Sequence, residues 1–199
     1  MHASYGLHPC FLDQHDDADL HELEVWLARE TPVAIGECGL DFHDGSDPRR
    51  QQRYFLHQIG LARETGLPLI VHARKAVEAV LLTLRREGPV RGVVHSYGGS
   101  PEQARQFWDM GIRLGLGGPL TYPRSRRLRH LVGEIPLQQL LLESDAPDQT
   151  GAAHRGHRNE PAWLPEVAET VAGIRDLPVE TVASTTRANA LHLFAIDAD

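Results

Sequence analysis

Five short apolar runs recur along this chain at the spacing of alternating strands and helices, and they constrain its fold more than any other feature. They are Val33–Gly36, Leu69–Val71, Gly92–Val94, Ile112–Leu116 and Leu140–Leu142. Each is apolar at successive positions. A strand buried on both faces reads this way, whereas a half-exposed antiparallel strand alternates with polar residues. Helical segments with clear punctuation lie between them. Asp47-Pro48 supplies a cap and a proline at the first helical position, and Gly66 closes the same segment. Ala76 to Arg86 is a second helix, and Ser100-Pro101 opens a third that ends at Gly111. Asp17 or Asp19 caps an earlier helix running to about Arg29, with Thr31-Pro32 as its stop. From about Glu160 to Phe194 the chain reads as helical, broken over Asp176 to Pro178. Such alternation predicts βαβ units, right-handed crossovers and a parallel sheet. Alternation alone leaves open whether that sheet is flat or closed.

A chain of 199 residues, 41% hydrophobic and 24% charged, is predicted to form a single domain over residues 1–199. No apolar run reaches the roughly 20 residues of a membrane span, and Met1 to Cys10 is not a secretory signal. Two cysteines, Cys10 and Cys38, make no disulfide framework, so a reducing cytoplasm is the expected location. The net charge of −7 excludes a broad electrostatic grip on nucleic acid but not a local basic patch.

Four of the apolar runs lead into a residue that binds metals. Val33–Gly36 runs into Glu37, Leu69–Val71 into His72, Gly92–Val94 into His95, and Leu140–Leu142 through Glu143-Ser144 to Asp145. In parallel α/β folds the C-terminal ends of the strands converge on the functional face. One polar residue after a strand is ordinary turn chemistry, but four in register suggest a shared cation. Mixed imidazole and carboxylate donors suit Zn²⁺, Mn²⁺ or Fe²⁺, while Mg and Ni are not separated from these by sequence.

The same segments carry a family resemblance. Gly36-Glu37-Cys38-Gly39-Leu40-Asp41 resembles the GEIGLD element of the TatD family of metal-dependent hydrolases. Ile70-Val71-His72-Ala73-Arg74 resembles its VIHSR, and Val93-Val94-His95-Ser96-Tyr97-Gly98-Gly99-Ser100 its VxHxFxGS. Leu141-Leu142-Glu143-Ser144-Asp145-Ala146-Pro147 is similar to its LLETDAP. Gly6-Leu7-His8-Pro9, Arg155 to Pro161 and Asn189 to Phe194 match as well, and Gly118 to Arg124 resembles the YjjV-like branch. The resemblance spans nearly the whole chain in order.

It implies a TIM-like (β/α) barrel with one or two divalent metal ions, acting on phosphodiester bonds in DNA. By carry-over, Glu37 bridges the ions, His72 and His95 hold one, and Asp145 holds the other. Asp145 and Glu37 are the implied catalytic residues. Arg74, His8, Tyr97, Arg124 and His154 are the candidate substrate contacts: a guanidinium for phosphate, rings for stacking a base, and loop residues facing Asp145. Arg124, Arg126, Arg127, Arg129 and His130 form a basic segment that could follow a phosphate backbone or simply be a solvated helix face. Cys38 is read as packing, and Trp26, Trp108 and Trp163 as core or interhelix anchors.

The family pattern also opens with a strand ending in His-x-His, and this chain has no such pair. The expectation is a barrel incomplete at its N-terminus, with only a stub of strand at Ala3–Tyr5 before the five clear runs. One ion at Glu37, His72 and His95, impaired turnover and an association-prone open edge would follow. The alternatives are a metal-dependent amide or ester hydrolase, or a metal-binding fragment without catalysis. Oligomeric state is not readable from the sequence.

Overall fold

A computed structural model describes residues 1–43 and 47–197. Among the described residues six strands form one sheet: β1 (Ser4–Tyr5), β2 (Ala34–Asp41), β3 (Leu69–Arg74), β4 (Gly92–Val94), β5 (Ile112–Leu116) and β6 (Leu140–Leu142). Every neighbouring pair is parallel, and spatial order equals chain order from β1 to β6. A doubly wound sheet reverses its order at a switch point. This one never does, so right-handed crossovers lay successive helices on the same side, as in a (β/α) barrel. The fold is of the TIM-like metallo-dependent hydrolase type.

The helices are α1 (Asp17–Glu30), α2 (Pro48–Thr65), α3 (Val77–Glu87), α4 (Pro101–Asp109), α5 (Arg126–Glu134), α6 (Leu164–Arg175) and α7 (Val179–Phe194). Local chemistry explains their ends. Asp47 accepts a hydrogen bond from the Arg49 N–H at 2.9 Å, Pro48 needs no such bond, and Gly66 takes the left-handed conformation that ends α2. Ser100 and Gln103 form a reciprocal capping box on α4. Asp16, rather than Asp17 or Asp19, caps α1, because Asp19 at the third helical position reaches back to the Asp16 N–H. The final helical region divides where expected, since Asp176 adopts a left-handed conformation and Pro178 precedes α7.

Side-chain alternation divides the sheet into two unlike faces. Leu69, Val71, Val94, Leu114 and Leu140 join Tyr54, Phe55, Ile59, Leu81 and Phe107 in the main core. Each fully buried aliphatic or aromatic side chain there contributes roughly 1.5–3 kcal/mol. On the opposite face Ile70, Val93 and Leu141 pack against Ala190, Leu193 and Phe194 of α7. The end of α7 therefore covers the inner face below the rim. The amide of Asn189 donates to the carbonyls of Leu137 and Leu140, both at 2.8 Å, which ties α7 to the entry of β6. His72 lies two residues beyond Ile70 on the same face of β3, directly above this plug.

Two strands are longer than the apolar runs suggest. β2 continues through Glu37 to Asp41, and β3 through His72 to Arg74. Polar residues within them look like turn residues in sequence but are ladder residues facing the rim. Trp26 is also not a core anchor; it is 40% exposed, against Tyr5 and beneath the Arg29 guanidinium.

Candidate metal centre

Glu37 occupies an irregularity in β2. Ile35 pairs with Leu69 and Cys38 with Val71, so Gly36 and Glu37 together oppose Ile70 alone. Such a bulge re-aims side chains. A side chain at residue 36 would meet the Cβ and carbonyl of Ile70 at 2.7 Å, so only glycine fits this close approach. The result is a half-buried Glu37 carboxylate at the sheet rim with buried Cys38 turned into the core.

Three imidazoles converge on Glu37 Oε1. His72 Nδ1 lies at 2.6 Å, His95 Nε2 at 2.9 Å and His8 Nε2 at 3.3 Å. The ligand atoms of Glu37, His72 and His95 lie within 4.8 Å of one another. Each of the latter two imidazoles turns its other nitrogen to a second carboxylate. His72 Nε2 is 2.8 Å from Asp41 Oδ2, and His95 Nδ1 is 3.3 Å from Glu143 Oε1. Metal-binding histidines are held in this manner, since the outer carboxylate fixes ring orientation and makes the inner nitrogen a better donor. The donor set thus fits a divalent ion: one carboxylate and two oriented imidazoles.

The electrostatics follow from these contacts. Burial acts to raise the Glu37 pKa, but hydrogen bonds from His72, His8 and His95 hold it well below the ordinary carboxylate value. Burial acts to lower His95, but its bonds and attraction to Glu143 and Glu37 push it up to about 10. Asp41 is also held down despite burial, chiefly by the His43 N–H, His72 and Cys10.

Asp41 and Glu143 are the residues that sequence reasoning passed over. Both are two-residue steps along a strand or its extension from a residue on the rim face, and that parity was the available signal. Asp41 is fully buried, and its backbone N–H donates to Gln51 Oε1 at 2.7 Å. Glu143 accepts the Ser96 N–H at 2.5 Å. Its carboxylate occupies the space above Gly115, where an added Cβ would come within 2.1 Å of Oε2.

The other predicted residues take diverse positions. Asp145, with positive φ, is held by the Gln149 amide at 2.5 Å. Its carboxyl is raised by burial, against the pull of His95 and Gln149. It senses the charges of His95, Glu143 and Glu37, yet among the described residues it belongs to no three-donor group. His8 enters the centre as described, with its ring 4.6 Å from that of His72. Arg74 is exposed at the end of β3, 4.0 Å from Asp41. Arg124 is exposed over the Tyr122 ring. His154 stacks on Trp163 at 3.7 Å and binds Glu166 at 2.6 Å. Tyr97 requires a correction. It is only 2% exposed, edge-on to Phe107, with its hydroxyl donating to the Ser100 carbonyl, so its ring is enclosed and cannot stack a substrate base. In the basic segment, Arg127 and Arg129 spend donors on the Gly98 and Leu120 carbonyls.

The family model described as TatD related DNase matches residues 1–195. The chain belongs to the TatD family. It is 40% identical to YabD of Bacillus subtilis (strain 168), covering 99% of this chain and 78% of that protein. It is 37% identical to YjjV of Escherichia coli (strain K12), covering 98% and 77%. Both relatives are named uncharacterized metal-dependent hydrolases. The crystal structure of the Escherichia coli YjjV TatD homologue superposes with a TM-score of 0.92 at 36% identity, over 98% of this chain and 77% of that one. A TatD family hydrolase from Entamoeba histolytica, 22% identical, shares the fold with a TM-score of 0.82 over 96% of this chain and 74% of its own. This TatD family chain is thereby a member of a metal-dependent hydrolase family. No helix among the described residues is long and apolar enough to cross a membrane.

Proposed function

We propose that this chain is a divalent-metal-dependent phosphodiesterase acting on DNA, with the ion held by Glu37, His72 and His95. The observation that carries this reading is the paired support of the two imidazoles by Asp41 and Glu143 around one ionised carboxylate. Such architecture is costly to assemble without a cation, because it concentrates three carboxylates within one small volume. A bound divalent ion supplies Lewis-acid activation of water and of a phosphoryl oxygen.

The chain's own residues divide the remaining work. Asp145 accepts the proton of the attacking water at its carboxylate. Burial raises its pKa, which makes it a stronger proton acceptor than an ordinary aspartate. Arg74 offers its exposed guanidinium to a phosphate oxygen from the end of β3, and Arg124 and His154 are the further substrate contacts in this reading. Glu37 is ionised before the ion binds, because the surrounding imidazoles hold its pKa down, and an ion that it ligates would keep it so. We place the activity in the cytoplasm, where Cys10 and Cys38 remain thiols.

The test is release of product from a single-stranded oligonucleotide with Mn²⁺ or Mg²⁺, beside a panel of carboxylic esters and amides. Turnover of the oligonucleotide that E37Q abolishes is the expected result. Turnover confined to esters or amides would move the chain to that reaction class. A metal-binding protein without turnover is the second reading. It is favoured by the position of Asp145 outside any three-donor group among the described residues. Metal uptake without turnover of any substrate would select it.

A further inference from the structure

Beside the Glu37 centre lies a second group of donors of different chemistry. The ligand atoms of His8, Cys10 and His72 lie within 4.8 Å of one another. Cys10 Sγ donates to Asp41 Oδ2 at 3.2 Å, and His72 Nε2 meets the same oxygen at 2.8 Å. Asp41 is fully buried, and the His43 N–H anchors it through its other oxygen, Oδ1, so the carboxylate is a fixed point. Cys10 is held close by its own backbone, because its N–H donates to His8 Nδ1 at 3.1 Å.

From this geometry we propose a second cation position, made by Cys10, His72 and His8 with Asp41 beside them, that selects thiophilic ions such as Zn²⁺ or Cd²⁺. A tetrahedral ion with bonds of about 2.0–2.3 Å to nitrogen and sulfur sets its ligands roughly 3.3–3.7 Å apart. The distances of 2.8 and 3.2 Å from Asp41 Oδ2 are slightly shorter, as suits donors now joined to that oxygen through protons. Coordination replaces those contacts: the S–H proton leaves to solvent, His72 Nε2 offers a lone pair in place of an N–H, and the His8 Nδ1 lone pair passes from the Cys10 N–H to the ion. Soft thiolate favours Zn²⁺ or Cd²⁺, whereas the Glu37 centre, one carboxylate and two imidazoles without sulfur, accepts a harder ion such as Mn²⁺.

His72 makes the two positions exclusive. A neutral imidazole has one N–H and one lone pair. With the lone pair on Nδ1, the ring serves the Glu37 centre and Nε2–H donates to Asp41. With the lone pair on Nε2, it serves the Cys10 position and Nδ1–H donates to Glu37. Both arrangements leave the ring in place and satisfied, so the tautomer decides which ion is held. A thiophilic ion therefore competes with the ion at the Glu37 centre rather than adding to it.

Cadmium titration of the full chain tests this. Thiolate coordination gives a sulfur-to-cadmium charge-transfer band in the ultraviolet. The only other cysteine, Cys38, is fully buried in the core, which leaves Cys10 as the accessible thiol. The band is expected to saturate at one Cd²⁺ per chain, and to vanish in C10S and in C10A. Each variant should lose at least about tenfold in Cd²⁺ affinity while binding Mn²⁺ as the parent does. Mn²⁺ should displace Cd²⁺ competitively. E37Q, which keeps an oxygen facing His72, should retain the band while losing Mn²⁺, so this site and the phosphodiesterase reading fail separately. Absence of the band in the parent chain, its survival in both Cys10 variants, or equal loss of Cd²⁺ and Mn²⁺ affinity would overturn the proposal.

Discussion

Raising the pH should weaken the metal-free protein and leave the Mn²⁺-loaded protein nearly unchanged. His95 carries the effect. Its pKa is raised from an ordinary 6.5 to about 10 by Glu143 and Glu37 acting against burial. A raised folded-state pKa gives stability that is complete below 6.5 and lost as pH rises through about 10. Between pH 7 and 8.5 the folded metal-free chain holds one proton more than the unfolded chain. Each pH unit in that window then removes about 1.4 kcal/mol, so the interval costs about 2 kcal/mol. An ion at the Glu37 centre takes the Nε2 lone pair and expels that proton, which sets the slope from this group to zero. The stabilisation conferred by saturating Mn²⁺ should therefore grow by about 2 kcal/mol, or roughly 4–8 °C in Tm, between pH 7 and 8.5. Thermal unfolding at both pH values, with and without Mn²⁺, isolates the term, because groups remote from the centre titrate alike in the two forms. Calorimetry in buffers of different ionisation enthalpy should record about one proton released per ion bound at pH 7.5. Equal Mn²⁺-induced shifts at the two pH values, or no released proton, would refute the assignment of a protonated His95 in the metal-free chain.

Three substitutions probe other parts of the same argument. G115A places a Cβ where Glu143 Oε2 now lies, at 2.1 Å, and should displace the carboxylate from His95; Mn²⁺ affinity measured by calorimetry should fall about 10–100-fold with the fold retained. N189A removes two buried hydrogen bonds and strands the Leu137 and Leu140 carbonyls, so urea unfolding should register a loss of about 2–3 kcal/mol. Y97F deletes only the bond to the Ser100 carbonyl, and should cost about 1 kcal/mol in stability with no change in oligonucleotide KM; a tenfold rise in KM would contradict the enclosed position of that ring.

The fold was legible because the strands are buried on both faces. Runs such as Leu140–Leu142 are apolar regardless of which way each side chain points, so they stand out without any periodicity. Strand limits were less legible for the same reason. Once β2 and β3 reach the rim, the inward positions become Glu37, Asp41, His72 and Arg74, and an apolar criterion stops too early. Tyr97 follows a similar rule in reverse. It comes two residues after His95 and resembles a rim residue, but its N–H pairs with the Gly115 carbonyl and its ring turns to Phe107. A position near the functional face did not determine which way its ring turned, and no local pattern encodes that.

The metal-binding residues and their supports differ in how they can be found. Glu37, His72 and His95 advertise themselves as the polar residues that end apolar runs. Asp41 and Glu143 do not, because a carboxylate near a strand end is ordinary in any sequence. Their meaning comes from a neighbouring strand: Asp41 pairs in register with Arg74, two residues from His72, and Glu143 joins the ladder through the Leu116 carbonyl, which sets its side chain above Gly115. Gly115 is then as much a part of the centre as any charged residue, since a methyl group there would evict the carboxylate. A glycine opposite a carboxylate, on the strand beside a candidate histidine, is a pairing that topology reveals and a single strand cannot. In a parallel sheet with unbroken order, that pairing is fixed once the register is known. Parity along their own segments therefore marks the supporting residues only as facing the rim, and the strand order supplies the partners that give them a role.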